Sequence, residues 1–281
     1  MRYTLFFAAL IAFLPATIFA QAKKSPVTAT AAKIQKIVTG SVLLNEKAAP
    51  DFKALLSTLK TDWKFRTDSV TMNAKTLVFT TPGATVTLAY LDYAIAPNEI
   101  KAAANLSWLW HSAGQEAGRH QAQVVISVIG SPGRALDLHK MFTRIAGGVL
   151  ENTRASGIYM NNQYLLLSKG FYTAAAHNLL TNNSLPVYCW VHFGMAEEGG
   201  KSSGYTFGLQ EFGLPEMEIV QSLRPMAEMH AVLYEAAATV VEYGTKVRDG
   251  QTLTTREDQQ LPVRMSASTV LEGLTTAKLV Y

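Results

Sequence analysis

Cysteine is almost absent: Cys189 is the only one in 281 residues. No disulfide can therefore close within the chain, even in an oxidising compartment, and CxxC redox or zinc motifs are excluded. Charge is scarce too, at 16% against 48% apolar residues, the balance of a folded globule rather than a disordered chain. The formal net charge of +4 is small and its basic residues are scattered. The basic face that phosphate contacts need is missing, so nucleic acid is not expected as a partner. Phosphate-loop, dinucleotide-binding, nucleophile-elbow and calcium-loop patterns are missing as well. The nearest approach, GMAEEGGKSSG at 194–204, puts one residue too many between Gly194 and the Gly200-Lys201 pair and leads into strand-like sequence. It reads as a polar hairpin loop. His111 and His120 stand too far apart for an HxxxH pair, and no acidic residue has a metalloprotease spacing, so no metal and no cofactor is expected.

The first twenty residues, MRYTLFFAALIAFLPATIFA, carry one charge at Arg2 and an apolar run from Leu5 to Leu14 that ends at Pro15. That is the layout of a secretory signal peptide, and the run is short of the roughly 20 residues a membrane span needs. Cleavage is expected near Ala20 or Ala22, giving an exported product, periplasmic or secreted, with no membrane span in the mature chain. Removing residues 1–20 takes away only Arg2 and leaves 24 basic against 21 acidic side chains, a net of +3. Residues 21–40, rich in Ala, Thr, Lys and Ser, read as a flexible linker.

From Ser41 the pattern becomes regular. SVLLNE reads as a strand, and PDFKALLSTLKTDW as a helix with Phe52, Leu55, Leu56 and Leu59 on one stripe. TLVFTTPGATVTLAYLDY reads as two strands about the Pro82-Gly83 turn, NEIKAAANLSWLWHSAGQEAG as a helix capped by Asn98, and QAQVVISVIG as a strand. On that helix Trp108 and Trp110 cannot share a face, so one belongs to the core and the other to a rim or interface. This βαββαβ order predicts a ferredoxin-like unit over 41–130. A linking helix follows at about 133–152. The pattern then recurs within 131–281: ASGIYM as a strand, NNQYLLLSKGFYTAAAHNLL as a helix, LPVYCWVHFG as a strand, GYTFGLQEFG and EMEIV as paired extended segments, SLRPMAEMHAVLYEAAATVVEYG as a long helix, then C-terminal strands. The expectation is an α+β protein of two ferredoxin-like halves in tandem, with antiparallel sheets and helices packed on one face.

One segment carries the candidate chemistry. In VYCWVHF a strand would place Val187, Cys189, Val191 and Phe193 on one face and Tyr188, Trp190 and His192 on the other. In EMEIV the same period puts Met217 and Ile219 opposite Glu216 and Glu218. If the two segments lie close, Tyr188, Trp190, His192, Glu216 and Glu218 line one pocket of aromatic walls, a base and carboxylates. Otherwise the glutamates are a solvated strand face, and the aromatics pack against the first half. Gly208 and Gly213, which interrupt the strand pattern before EMEIV, mark a bulge or a close backbone approach.

IAPNEI at 95–100, GRHQAQVVISV, ASGIYM, VYCWVHF, GYTFGLQEFGLPEMEI and RDGQTL together resemble domain-of-unknown-function family 4261, from about Ser41 to the C-terminus. The element F-G-x-x-E-x-E-I at Phe212–Ile219 is the most specific part. The resemblance implies no activity and transfers no catalytic role. No spacing brings an acid–base or nucleophilic set within hydrogen-bond reach. The chain therefore reads as an exported, non-catalytic binding or interaction module for a small molecule or protein partner; the alternative is a hydrolase-type enzyme whose His, Glu and aromatic pocket lies between the halves. N-terminal sequencing of the exported product is expected to begin at Gln21 or Lys23; an unprocessed Met1 end would contradict the leader.

Overall fold

The computed structural model describes residues 35–281, so the signal peptide and most of the predicted linker lie outside the described residues. The first strand, β1, runs Lys36–Leu44, starting ahead of Ser41 and inside the span read as linker. Helix α1 covers Phe52–Thr61 and buries the predicted stripe of Phe52, Leu55, Leu56 and Leu59. Asp51 caps it: its carboxylate accepts from Lys53 N and Ala54 N at 2.9 and 3.0 Å, satisfying two of the free donors of the first turn. Strands β2 (Asp68–Met72), β3 (Thr76–Thr81) and β4 (Ala84–Leu91) follow. β3 and β4 flank Pro82-Gly83 and alternate buried with half-buried residues.

The Trp-rich segment is not one helix. It divides into α2 (Pro97–Leu106), which Ala96 rather than Asn98 precedes as cap, and the short α3 (Ala113–Glu116). The break has a packing cause. Ser107 Oγ donates to Leu166 O at 2.7 Å, and buried Trp110 lies against Gly157, where a Cβ would come within 2.8 Å of its ring. Trp108 stays on the rim at 43% exposure. β5 (Ala122–Gly130), α4 (Ala135–Glu151), β6 (Ala155–Met160), β7 (Leu165–Ser168) and α5 (Lys169–Asn182) come next. The sequence pattern predicts a helix through YLLLS, yet Leu165 and Leu167 enter one hydrophobic core and Leu166 another. A strand covered on both faces is apolar throughout, which periodicity cannot separate from a buried helix. The remainder is β8 (His192–Glu198), β9 (Lys201–Phe207), β10 (Met217–Ser222), α6 (Met226–Tyr243), β11 (Thr252–Thr254), β12 (Gln260–Ala267) and β13 (Thr275–Leu279). Among the described residues no helix is long and apolar enough to cross a membrane.

The class is α+β with largely antiparallel sheets. One sheet has the order β2-β3-β4-β5-β1-β6-β7, the other β11-β12-β13-β10-β9-β8. Among the described residues only β10 and β13 pair in parallel, with Met217 opposite Ala277 and Glu218 opposite Lys278. Two ferredoxin-like halves are not what the strands build. A split βαβ unit joins parallel strands through a helix, whereas β4 and β5, joined through α2 and α3, are antiparallel neighbours. β6 and β7, assigned to the second half, instead extend the first sheet beside β1. Helices also cover both faces of that sheet, not one. α1, α4 and α5 pack on the face with Val42 and Leu44, and α2 and α3 on the face with Leu43 and Tyr159. On the second sheet α6 crosses β8, β9 and β10.

The VYCWVHF segment departs furthest from its expected form. Val187–Cys189 is a turn of 3-10 helix, Val191 N donates back to Val187 O at 2.8 Å, and the strand starts only at His192. Val187, Cys189, Trp190, Val191 and Phe193 are all buried, so no oily face opposes a polar-aromatic one. Gly208 packs directly against this turn. Its φ is +132°, and a Cβ there would stand 2.5 Å from Trp190 O, a combination that only glycine tolerates. Gly208→Ala is expected to lower unfolding stability by about 2–4 kcal/mol in urea titration; an unchanged midpoint would show that the contact is slack.

Candidate functional site

β8 is the edge strand of the second sheet, and a cleft of about 930 Å³ runs along it. Two further concavities measure about 440 and 410 Å³. Five consecutive residues of β8, His192 to Ala196, form one wall. The last residues of α2, Asn105 and Leu106, and the loop after it, with Ser107 and Trp108, form a second wall, and the start of α6 supplies Met226, Ala227 and His230. Gly194 shapes the floor. Tyr205, paired with it across the ladder, lays its ring over the position a Cβ would occupy. Any larger residue at 194 would push Tyr205 aside.

The walls are aromatic. Trp108 meets His230 edge-on with centroids 4.9 Å apart and Tyr188 at 5.7 Å. Tyr188 stacks on Tyr234 at 4.5 Å and touches Phe193 at 5.5 Å. His192 is 6% exposed and His230 half-buried, and burial lowers the pKa of both, keeping each imidazole neutral near pH 7. Burial, then the neighbouring Tyr234 and Glu235, raises Tyr188 to about 12.

The five residues singled out from the sequence do not share one pocket. His192 lines the cleft, and Tyr188 forms part of the aromatic cluster behind it. Trp190 is in the core, its Nε1 donating to Thr143 Oγ1 at 2.8 Å. Glu216 and Glu218 are 1% and 0% exposed, so they are not a solvated strand face either. Glu216 accepts from Thr206 Oγ1 and Gly208 N at 2.8 Å and from Gln210 N at 3.2 Å. Glu218 pairs with Lys278 and accepts from Ser268 Oγ, from Thr269 N and Oγ1 at 3.2 and 2.8 Å, and from Thr276 Oγ1 at 3.1 Å. Its pKa falls to about 2: desolvation pushes it upward, but the bonds from Lys278, Ser268 and Thr269 outweigh that. Both carboxylates are thus held by their own sheet and loops. Among the described residues no carboxylate hydrogen-bonds His192, and no group of three or more His, Cys, Asp or Glu side chains could hold a metal ion. Cys189 is buried and its thiol pushed up by desolvation, which suits packing rather than attack.

The sequence pointed to His192 and to one of Trp108 and Trp110 as a rim residue, and the structure makes that residue Trp108. Tyr205, Met226 and His230 were passed over, because a tyrosine in a strand and a histidine in a long helix carry no local signal; only the pairing of β8, β9 and α6 gathers them. Residues 205–280 match the family described as Domain of unknown function (DUF4261), the family the sequence resembles. The matched stretch runs from β9 to β13 and contains Tyr205 and His230, while Trp108 and His192 precede it. No curated protein and no solved structure matches the chain.

Four histidines are held neutral. Ile95 N donates to His120 Nε2 at 2.8 Å, and His120 Nδ1 bonds Ala117 O at 2.7 Å. His139 Nδ1 bonds Ala135 O at 2.8 Å, and its Nε2 is buried without a partner. Burial depresses His120, His192 and His230 below 6.5 and His139 to about 4. Below 6.5 the unfolded chain takes up protons that the folded one refuses, so stability is full above that pH and falls as pH drops toward 4. Glu218 extends the loss from 4.5 toward 2. Urea titrations across this range are expected to show a steady decline; a midpoint that stays level from neutral pH down to 4.5 would contradict the buried-histidine geometry.

Proposed function

We propose that the chain, with its DUF4261 stretch over residues 205–280, is an exported binding module that takes an apolar or aromatic group into the cleft beside β8. The observation that carries this reading is the composition of the cleft. Leu106, Trp108, Phe193, Met195 and Met226 face a space of about 930 Å³, a size and character suited to small-molecule binding. Trp108 and Leu106 remain 43% and 42% exposed at its mouth, and large exposed apolar side chains grouped around a concavity favour recognition. The leader at residues 1–20 supports export, to the periplasm or medium.

The hydrolase-type alternative requires a carboxylate to orient His192, or a nucleophile beside it. Glu216 and Glu218 are bound to other partners, so the geometry favours binding without catalysis. Titration with Nile red, a neutral apolar dye, tests the reading. Trp108→Ala is expected to weaken dye binding about tenfold, as the loss of one aromatic wall implies. Equal affinity for the variant and the parent protein would remove the cleft as the binding site.

A further inference from the structure

The apolar body of the cleft ends in donors that have nothing to donate to. Helix α6 is 18 residues long, and Pro225 before it offers no side-chain cap. Among the described residues the N–H groups of Met226, Ala227 and Glu228 have no acceptor, and Met226 and Ala227 line the cleft. A free helix N-terminus carries roughly half a positive charge. His192 lines the same cleft, is 6% exposed, and among the described residues has no hydrogen-bond partner on either ring nitrogen. His230, one turn into α6, has a buried Nε2 that is also unpartnered. Buried polar atoms are almost always paired, and His230 Nε2 is buried without a partner; with the unpartnered imidazole of His192 and the free N–H groups of α6 around the same space, it marks where a ligand atom belongs.

We propose that the cleft binds a carboxylate carried on an apolar body, with the body against Trp108, Phe193 and Met226 and the carboxylate facing His192, His230 and the first N–H groups of α6. The inference rests on the cleft being a binding site for apolar groups and adds the charge of the ligand. An anion entering a low-dielectric space needs donors to replace its water, and imidazole N–H and helix N–H groups supply charge-assisted bonds. Monoanions fit better than phosphates, because no lysine or arginine lines the cleft to balance a second charge. The titratable groups against the two imidazoles are Tyr205 from β9 beside His192 and Tyr188 from the segment before β8 beside His230, and the two imidazoles line one cleft. Glu228 on α6 and Glu197 and Glu198 on β8 are exposed to solvent. A bound carboxylate therefore favours protonation of an imidazole, and binding should take up a proton.

Titration calorimetry of the full mature chain with phenylbutyrate, phenylbutanol and phenylbutyramide tests this. The acid is expected to bind about tenfold or more tightly than the alcohol or amide, and to tighten from about pH 8 to about pH 6 with proton uptake. His192→Gln and His230→Gln should each flatten that pH dependence and narrow the gap in affinity between the acid and the alcohol. Should His192→Gln fail to fold, half-buried His230 gives the same readout alone. Equal binding of acid and alcohol, or an acid affinity that ignores pH, overturns the carboxylate and leaves the apolar cleft standing. If none of the three binds, the apolar reading itself falls. An apolar tetrapeptide with a free C-terminus and its amide form a second arm. Free peptide binding more tightly than phenylbutyrate places the carboxylate at a peptide end, and weaker binding places it on a free acid.

Discussion

Glu216 accepts Thr206 Oγ1, Gly208 N and Gln210 N where water does not reach, and the geometry of the second sheet follows from those bonds. Leaving two amides unpaired in that position would cost about 1–3 kcal/mol each, so the 208–212 turn closes on the carboxylate. Closing the turn presses Gly208 onto the carbonyl of Trp190. It also places Phe212 against His139 of α4, with ring centroids 4.3 Å apart. Trp190 is held in turn by Thr143 on the same helix. β8 can only begin after this knot, at His192, and its free edge then lies along the cleft.

Glu218 performs the complementary task two residues further on, inside β10. Its bonds to Ser268, Thr269, Thr276 and Lys278 fasten the 268–271 turn and β13 to the middle of the sheet, which is how a C-terminal strand comes to run parallel beside β10. The F-G-x-x-E-x-E-I element is therefore a folding device in which each glutamate organises one loop. Removing carboxylates from the list of available acids and bases leaves an aromatic cleft whose histidines are neutral. That division assigns charge to the architecture and leaves neutral donors facing the cleft.

Much of the architecture was legible where one periodicity dominates. The stripe at Phe52, Leu55, Leu56 and Leu59 forms α1, and the alternation about Pro82-Gly83 forms β3 and β4. Legibility failed where tertiary contacts override local pattern. Leu165–Leu167 is apolar because both faces of β7 are covered, and the 187–193 alternation breaks because Trp190 must reach Thr143. Strand order was out of reach: β5 lies between β4 and β1 by long-range pairing that element order does not encode. At the site, His192 could be read locally, as could the division of Trp108 and Trp110 between core and rim, though not which of the two lies on the rim. The buried state of both glutamates could not, because their partners at 208–210 and 268–278 are brought to them by loops without a motif of their own.

Hydrogen exchange on Glu216→Ala under native conditions tests most directly whether this carboxylate holds the edge strand in place. Faster exchange is predicted at Gly208 and Gln210 and, with it, along His192 to Ala196 of β8, while α1 and β3 keep their protection. Exchange along β8 that matches the parent protein would show that the cleft wall stands independently of Glu216, and would contradict the account.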